Sequence, residues 1–364
     1  MKKNKYIIWI SIILIFIYVL NLNPIVHGEI NKIKNKFYGK TLNDKFEVKI
    51  KSGNLSTDYD INQTLEDINK LEINTINIPI VINIKNLSSS DMSVDKESEK
   101  KAIELIRKLR WKKINIILEP YPWIDNGNLY ETEWNPNNKK QFFKNWQNNV
   151  IKVLIDNIAV PYHVDALNVA SNFVYIEDEQ EQWCNTIDFA RKYYKGLITY
   201  RTCWWYTAHW EPKTKEKYQK KLNNKLFSKV DFISVAAYFE LTDKDTNTVE
   251  ELVESINNVK KNDRRQNIKE ELYHFNEKWH KPIFFGELGF SRKNKAASEP
   301  WNPMPSKISN NEEQARCFES YRRVFEKELW LLGFSIFAIG ENSEDKNFYP
   351  SEETTKVIKK WYSK

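Results

Sequence analysis

Cysteine, histidine and glycine are scarce in this 364-residue chain, at 3, 5 and 9 residues. Each shortage closes off a class of protein. Cys184, Cys203 and Cys317 lie far apart with no CxxC pair, so they read as buried free thiols and exclude a disulfide scaffold or a cysteine metal site. His163 and His209 stand alone without ligand spacing, which gives no support to metal catalysis, and no cofactor is expected. The low glycine count excludes collagen-like and glycine-linker architectures. Neither a GxGxxG nor a P-loop motif is present to form a nucleotide crevice. There is also no block of one charge. The 56 Lys and Arg exceed the 49 Asp and Glu by seven, but the signs interleave, which describes a mixed surface and no nucleic-acid partner.

Aromatic residues are abundant: 13 Trp, 18 Tyr and 19 Phe in a chain that is 41% hydrophobic. That composition is too apolar for disorder and implies a folded core. At the N-terminus, Met1 to Lys5 hold three lysines, and Tyr6 to Leu20 then run without a charge. A positive flank before an apolar run is how a chain is engaged for export. No A-x-A-like cleavage site follows, and no cysteine for lipid attachment, so an uncleaved anchor is favoured over a removed signal. The expected layout is therefore a signal-anchor or signal segment at 1–28, a polar tether at 29–44 and a single barrel domain at 45–364. The bulk would lie at the extracellular face of the membrane, or be secreted if the segment is cut, and the protein is expected to be monomeric.

Beyond the tether, apolar runs alternate with amphipathic segments. Strands are expected at Phe46–Ile50, Thr75–Ile84, Ile114–Tyr121, Asp165–Ala170, Leu197–Thr202, Val230–Tyr238, Lys281–Leu288 and Gly333–Ile339. Helices are expected at Asp60–Leu71, Glu97–Leu109, Lys140–Asn157, Glu179–Tyr194, Glu312–Leu331 and, as one long element, Val249–Trp279. Continuous Val/Ile-rich runs between helices indicate a parallel sheet covered by helices. Eight such units predict an α/β fold, a single-domain (β/α)8 TIM barrel preceded by a membrane-anchor helix.

In such a barrel the chemistry gathers at the C-terminal ends of the strands. The residues there are Glu119, Tyr121 and Trp123 after the third strand, Asn172 after the fourth, Trp204 and Trp205 after the fifth, Tyr238 after the sixth and Glu287 after the seventh. Aromatic faces stack on sugar rings and paired carboxylates cleave glycosidic bonds; the same aromatics also fill helix–sheet packing. Glu287, in KPIFFGELGF, places a carboxylate at the end of an apolar strand, where it needs a partner or a task. Tyr238 is placed to donate a hydrogen bond that holds it ionised.

These segments carry a resemblance. ILEPYPWIDNG (Ile117 to Gly127), FISVAAYFEL (Phe232 to Leu241), KPIFFGELGF (Lys281 to Phe290), KAASEPWNP (Lys295 to Pro303) and EQARCFESYRRVF (Glu313 to Phe325) resemble the retaining glycoside hydrolases of clan A, most closely family 113, whose known members are β-mannanases. The resemblance spans about Phe46 to Tyr362. It implies that Glu287 is the nucleophile and that Trp301, in the EPWN segment, joins the substrate-binding aromatics. It also exposes a departure. The clan's acid/base glutamate ends the fourth strand, and here that stretch reads VASNF, putting Asn172 in its place. An amide cannot deliver a proton to a leaving oxygen, a service typically contributing about 10²–10⁴-fold. Glu119, where the family usually has a lysine, and Glu177 or Glu179 on the following loop are candidate substitutes. Where relatives present Trp on the last strand, this chain offers Phe337 and Ile339.

The expectation is thus a membrane-anchored extracellular glycoside hydrolase acting on a β-linked polysaccharide or oligosaccharide of mannan or glucan type. The alternative is a catalytically silent glycan-binding relative that supports exopolysaccharide or wall assembly.

Overall fold

A computed structural model of the chain describes residues 49–109, 111–341 and 344–363. Among the described residues, eight parallel strands close into a barrel: β1 (Ile50–Leu55), β2 (Thr75–Ile84), β4 (Asn115–Ile124), β5 (Ala166–Ser171), β6 (Leu197–Cys203), β7 (Phe232–Ala236), β8 (Ile283–Leu288) and β9 (Leu331–Ile339). Pairing of β1 with β2, Ser52 opposite Thr75, completes the ring. A three-residue strand, β3 (Met92–Val94), pairs antiparallel with the end of β2 and has no counterpart in the sequence-based strand set.

Between the strands run α1 (Ile61–Leu71), α2 (Lys96–Leu109), α3 (Lys139–Asn145, continued through helical turns to Ile155–Ala159), α4 (Gln180–Tyr193), α5 (Pro212–Leu222), α6 (Leu226–Lys229), α7 (Val249–Asn257), α8 (Ile268–Trp279), α9 (Asn311–Phe325) and α10 (Glu352–Tyr362). Their starts are written locally. Asp60 accepts from the Gln63 amide ahead of α1, and Thr248 with Glu251 forms a reciprocal capping box on α7.

The main core lies between the sheet and the helices, where Ile76, Ile78, Ile80 and Ile82 of β2 and their counterparts face Leu, Phe and Trp side chains. Inside the barrel, Ile50, Ile117, Ala166, Phe232, Phe284 and Leu332 form a separate apolar plug. Polar residues are also buried at the barrel wall: Ser335 donates to Ser52 (3.1 Å), Ser52 to Asn77 (3.3 Å), Asn77 to Asn54 (2.7 Å) and Asn54 to the Gly286 carbonyl (2.7 Å). A chain of matched donors and acceptors removes the cost of burying such groups. It leads to Arg201 and the carboxylates around it.

Three expectations are corrected. The first described strand is Ile50–Leu55: residues 46–48 of the expected Phe46–Ile50 lie outside the described residues, and the strand runs on past Ile50 through Ser52 and Asn54, which carry no apolar signal. The long helix Val249–Trp279 is two helices: residues 258–267 are rich in Asn, Asp and Arg, and Asn262, Asp263 and Arg265 adopt left-handed backbone there before Asn267 caps α8. The membrane-anchor helix is withdrawn. Residues 1–28, like the tether at 29–44, lie outside the described residues. Among the described residues no helix is long and apolar enough to cross a membrane. A span needs about 20 apolar residues, whereas α9, with 15, carries Glu312, Glu313, Arg316, Glu319, Arg322 and Arg323. The fold class of the described residues is the barrel, and membrane attachment leaves the account of partner, location and function.

Candidate active site

Strand register brings the site together. Glu119 lies within β4 and Glu287 within β8, so both carboxylates reach the barrel interior near its C-terminal end. Arg201, in β6 between them, is buried at 2% exposure. Its guanidinium donates to both oxygens of Glu119, at 2.7 and 2.5 Å, and to Glu287 at 2.5 Å. Burial alone would lower the arginine pKa, but Glu119 and Glu287 raise it on balance. Gly286 makes the room: a Cβ there would lie 2.7 Å from Arg201 Nε and 2.0 Å from Ser234 Oγ. Ser171 donates to Glu119 (3.0 Å), and Asn168 to Ser171 (2.7 Å).

Burial raises the Glu287 pKa, and Glu119 adds to that; Arg201 and a hydrogen bond from the Tyr238 hydroxyl pull it back without cancelling the rise. Trp204 meets Tyr238 edge-on at 5.6 Å, and Tyr238 meets Phe337 in the same way at 6.2 Å. Asn54, Asn77, Tyr121 and Phe337 join the three charged residues in lining a narrow cleft. Tyr121 and Trp123, tilted at 6.4 Å, stand on the part of β4 that continues beyond Glu119. Trp123 also covers Gly127, whose φ of 85° and absent side chain permit the contact; a Cβ would sit 2.5 Å from the indole.

The other aromatics divide. Trp205 is in the core, stacked on Tyr218, with its indole donating to Glu271 at 2.7 Å, so it is not part of the cleft. Trp301 is on the β8–α9 loop, half exposed, and donates to Glu240 at 3.2 Å. Tyr130, Tyr175, Tyr206 and Trp210 are likewise exposed on loops that follow strands.

Glu119, Glu177 and Glu179, the carboxylates expected to stand in for an acid at position 172, also separate. Both oxygens of Glu119 are committed to Arg201. Glu177 is buried in an ion pair with Lys221 and accepts from Thr202, and Glu179 pairs with Lys139 at 2.6 Å. Each has a structural partner.

Asn172 follows β5 with a φ of 58°, and its side-chain amide donates to Glu131 at 3.2 Å. Glu131 comes from the β4–α3 loop and was not singled out by the sequence. Burial raises its pKa, the Glu287 and Glu119 charges raise it further, and its backbone amide and Asn172 offset part of this; the result is about 7. Arg201 was also missed, although an arginine in the strand LITYRT is as anomalous as a glutamate in KPIFFGEL. For Glu131 in NLYETEWNP the sequence offers no such anomaly.

No cluster of metal-ligating side chains occurs among the described residues. A closed parallel barrel with carboxylates at the strand ends and aromatics around them is an arrangement shared with the barrel glycosidases. The profile of glycoside hydrolase family 113 matches residues 45–359, and the chain belongs to that family. Comparison with curated proteins finds no match. Among solved structures, the family 113 β-mannanase of Alicyclobacillus acidocaldarius is similar at 15% identity and a TM-score of 0.69, covering 88% of this chain and 99% of that one. A family 113 β-1,4-mannanase is similar at 17% and 0.64, covering 87% and 99%. A family 5 mannosidase from Rhizomucor miehei follows at 10% and 0.53, covering 87% and 92%. At these identities the structures establish the shared fold.

Proposed function

We propose that this protein hydrolyses β-linked mannan-type polysaccharide or oligosaccharide with retention of configuration, Glu287 acting as nucleophile. The observation that carries the reading is the setting of Glu287: partly buried at a strand end with its side chain 13% exposed, hydrogen-bonded by Arg201 and Tyr238, and open to a cleft edged by aromatic rings. The two donors orient the carboxylate and favour its ionised form, as attack on an anomeric carbon requires. Tyr121, Phe337 and Trp204 are assigned to the ring in the cleft. The exposed Tyr130, Tyr175, Trp210 and Trp301 suit sugar units further along a chain. The mannan assignment is supported by the β-mannanase relatives of the same family.

The test is reducing-sugar release from β-1,4-mannan, together with covalent trapping by a 2-deoxy-2-fluoro-β-mannosyl fluoride. Turnover, trapping on Glu287 and a loss of at least about 10³-fold in Glu287→Gln are expected. Turnover in that variant at the wild-type rate refutes the assignment. A second reading, glycan binding without catalysis, is favoured by Asn172, which the resemblance to clan A puts in the proton donor's place. It requires mannan binding with neither turnover nor trapping.

A further inference from the structure

We propose that Glu131 is the acid/base of this site and that Asn172 is its positioning residue, an assignment that rests on Glu287 being the nucleophile. The proton donor has then moved from the end of β5 to the neighbouring β4–α3 loop.

Three observations converge on it. The carboxyl of Glu131 accepts from Asn172, so it occupies space beside the position the usual donor would fill. Its loop is firmly held. Glu131 opens a single helical turn, Glu131–Glu133, and Trp134 directly after it is fully buried, donating to the Ser89 carbonyl at 3.0 Å. Trp134 packs edge-on against Phe173 at 5.3 Å, and Phe173 is the residue after Asn172. Donor and positioning residue are thereby fastened to one another through their chain neighbours. Thirdly, Glu131 lies within electrostatic reach of Glu287 on β8, Glu119 on β4 and Cys203 on β6, with Arg201 between the first two and Tyr238 against Glu287. A group held protonated to about pH 7 can give up a proton and recover it near neutrality.

The chemistry balances with these groups alone. A Glu287 oxygen bonds to the anomeric carbon while the glycosidic C–O bond breaks, and the leaving oxygen takes the Glu131 proton. Water then attacks the anomeric carbon, giving its proton to the Glu131 carboxylate, and the ester bond to Glu287 breaks to restore its carboxylate.

The experiment compares wild type, Glu131→Ala, Asn172→Ala and Glu287→Gln, each checked by thermal melting, on mannan and on 2,4-dinitrophenyl β-mannoside. Glu131→Ala should lose about 10²–10⁴-fold in kcat on mannan. With the dinitrophenyl substrate, whose leaving group needs no proton, it should form the Glu287 ester at near wild-type kcat/KM and then stall. Azide should restore turnover and yield β-mannosyl azide, since its attack needs no base. Asn172→Ala removes a hydrogen bond to the ionised form, so the basic limb of the pH–kcat/KM profile should move upward. A folded Glu131→Ala with wild-type mannan turnover and an unchanged basic limb overturns the proposal while leaving Glu287 in place. An unmoved limb in Asn172→Ala overturns the positioning role. Failure of wild type to turn over or to be trapped on Glu287 overturns the underlying reading, and this one with it.

Discussion

Arg201 decides the electrostatics of the site at the scale of single residues. Without it, Glu119 and Glu287 would face each other as buried, uncompensated like charges, and removing one partner of a buried ion network costs about 3–5 kcal/mol. Arg201→Met is therefore expected to lower the melting temperature by roughly 5–10 °C and to raise the acidic limb of the pH–kcat profile, because Glu287 loses the charge that lowers its pKa. Scanning calorimetry and a pH series measure the two effects separately. An unchanged acidic limb would show that Arg201 supports the fold without tuning Glu287. Legibility in sequence follows the same contrast. Glu287 was visible because burial makes a charge in an apolar strand conspicuous. Glu131 was not, because a glutamate in a polar loop looks solvated until Trp134 is seen anchoring the loop inward.

Elements with a regular hydrophobic period were read almost to the residue: Thr75–Ile84 is β2, and the α1 and α4 boundaries move by one. Where the period fails, the reading stopped short: it ended β1 at Ile50, before Ser52 and Asn54, and ran α7 and α8 together. The β4–α3 loop belongs to this second kind. Its order comes from tertiary contacts of Trp134 with Phe142, Phe173 and Trp146. Substituting Trp134→Ala should cost about 3–5 kcal/mol. Trp134→Phe, a milder change, should keep the barrel folded at 25 °C while lowering kcat on mannan more than kcat/KM for the dinitrophenyl mannoside. Equal losses on both substrates would mean that the loop does not position the proton donor.

For the whole molecule, the two ends of the pH scale act oppositely. Glu131 binds its proton more tightly folded than unfolded, so its contribution to stability declines as pH rises from about 4.5 to 7 and is constant above that, a loss on the order of 3 kcal/mol. Glu287 acts in the same direction. Glu319 does the reverse: hydrogen bonds from Arg322 depress its pKa to about 2, so the stability it provides is present above its unfolded pKa and is lost as pH falls toward 2. Melting temperature should therefore peak near pH 5. Glu131→Gln should flatten the decline between pH 5 and 7; a decline identical to wild type would contradict the elevated Glu131 pKa.

The strands of a closed barrel are staves around one axis, and the loops that leave neighbouring staves arrive above it from adjacent bearings. The β4–α3 and β5–α4 loops meet in this way at Glu131 and Asn172. A carboxyl vacated by one can be supplied by the other while the staves stay where they are. The address above the ring is then what persists, and the chain position that fills it is free to change hands. A stave-by-stave comparison of motifs would score such a molecule as inert while its address is still occupied.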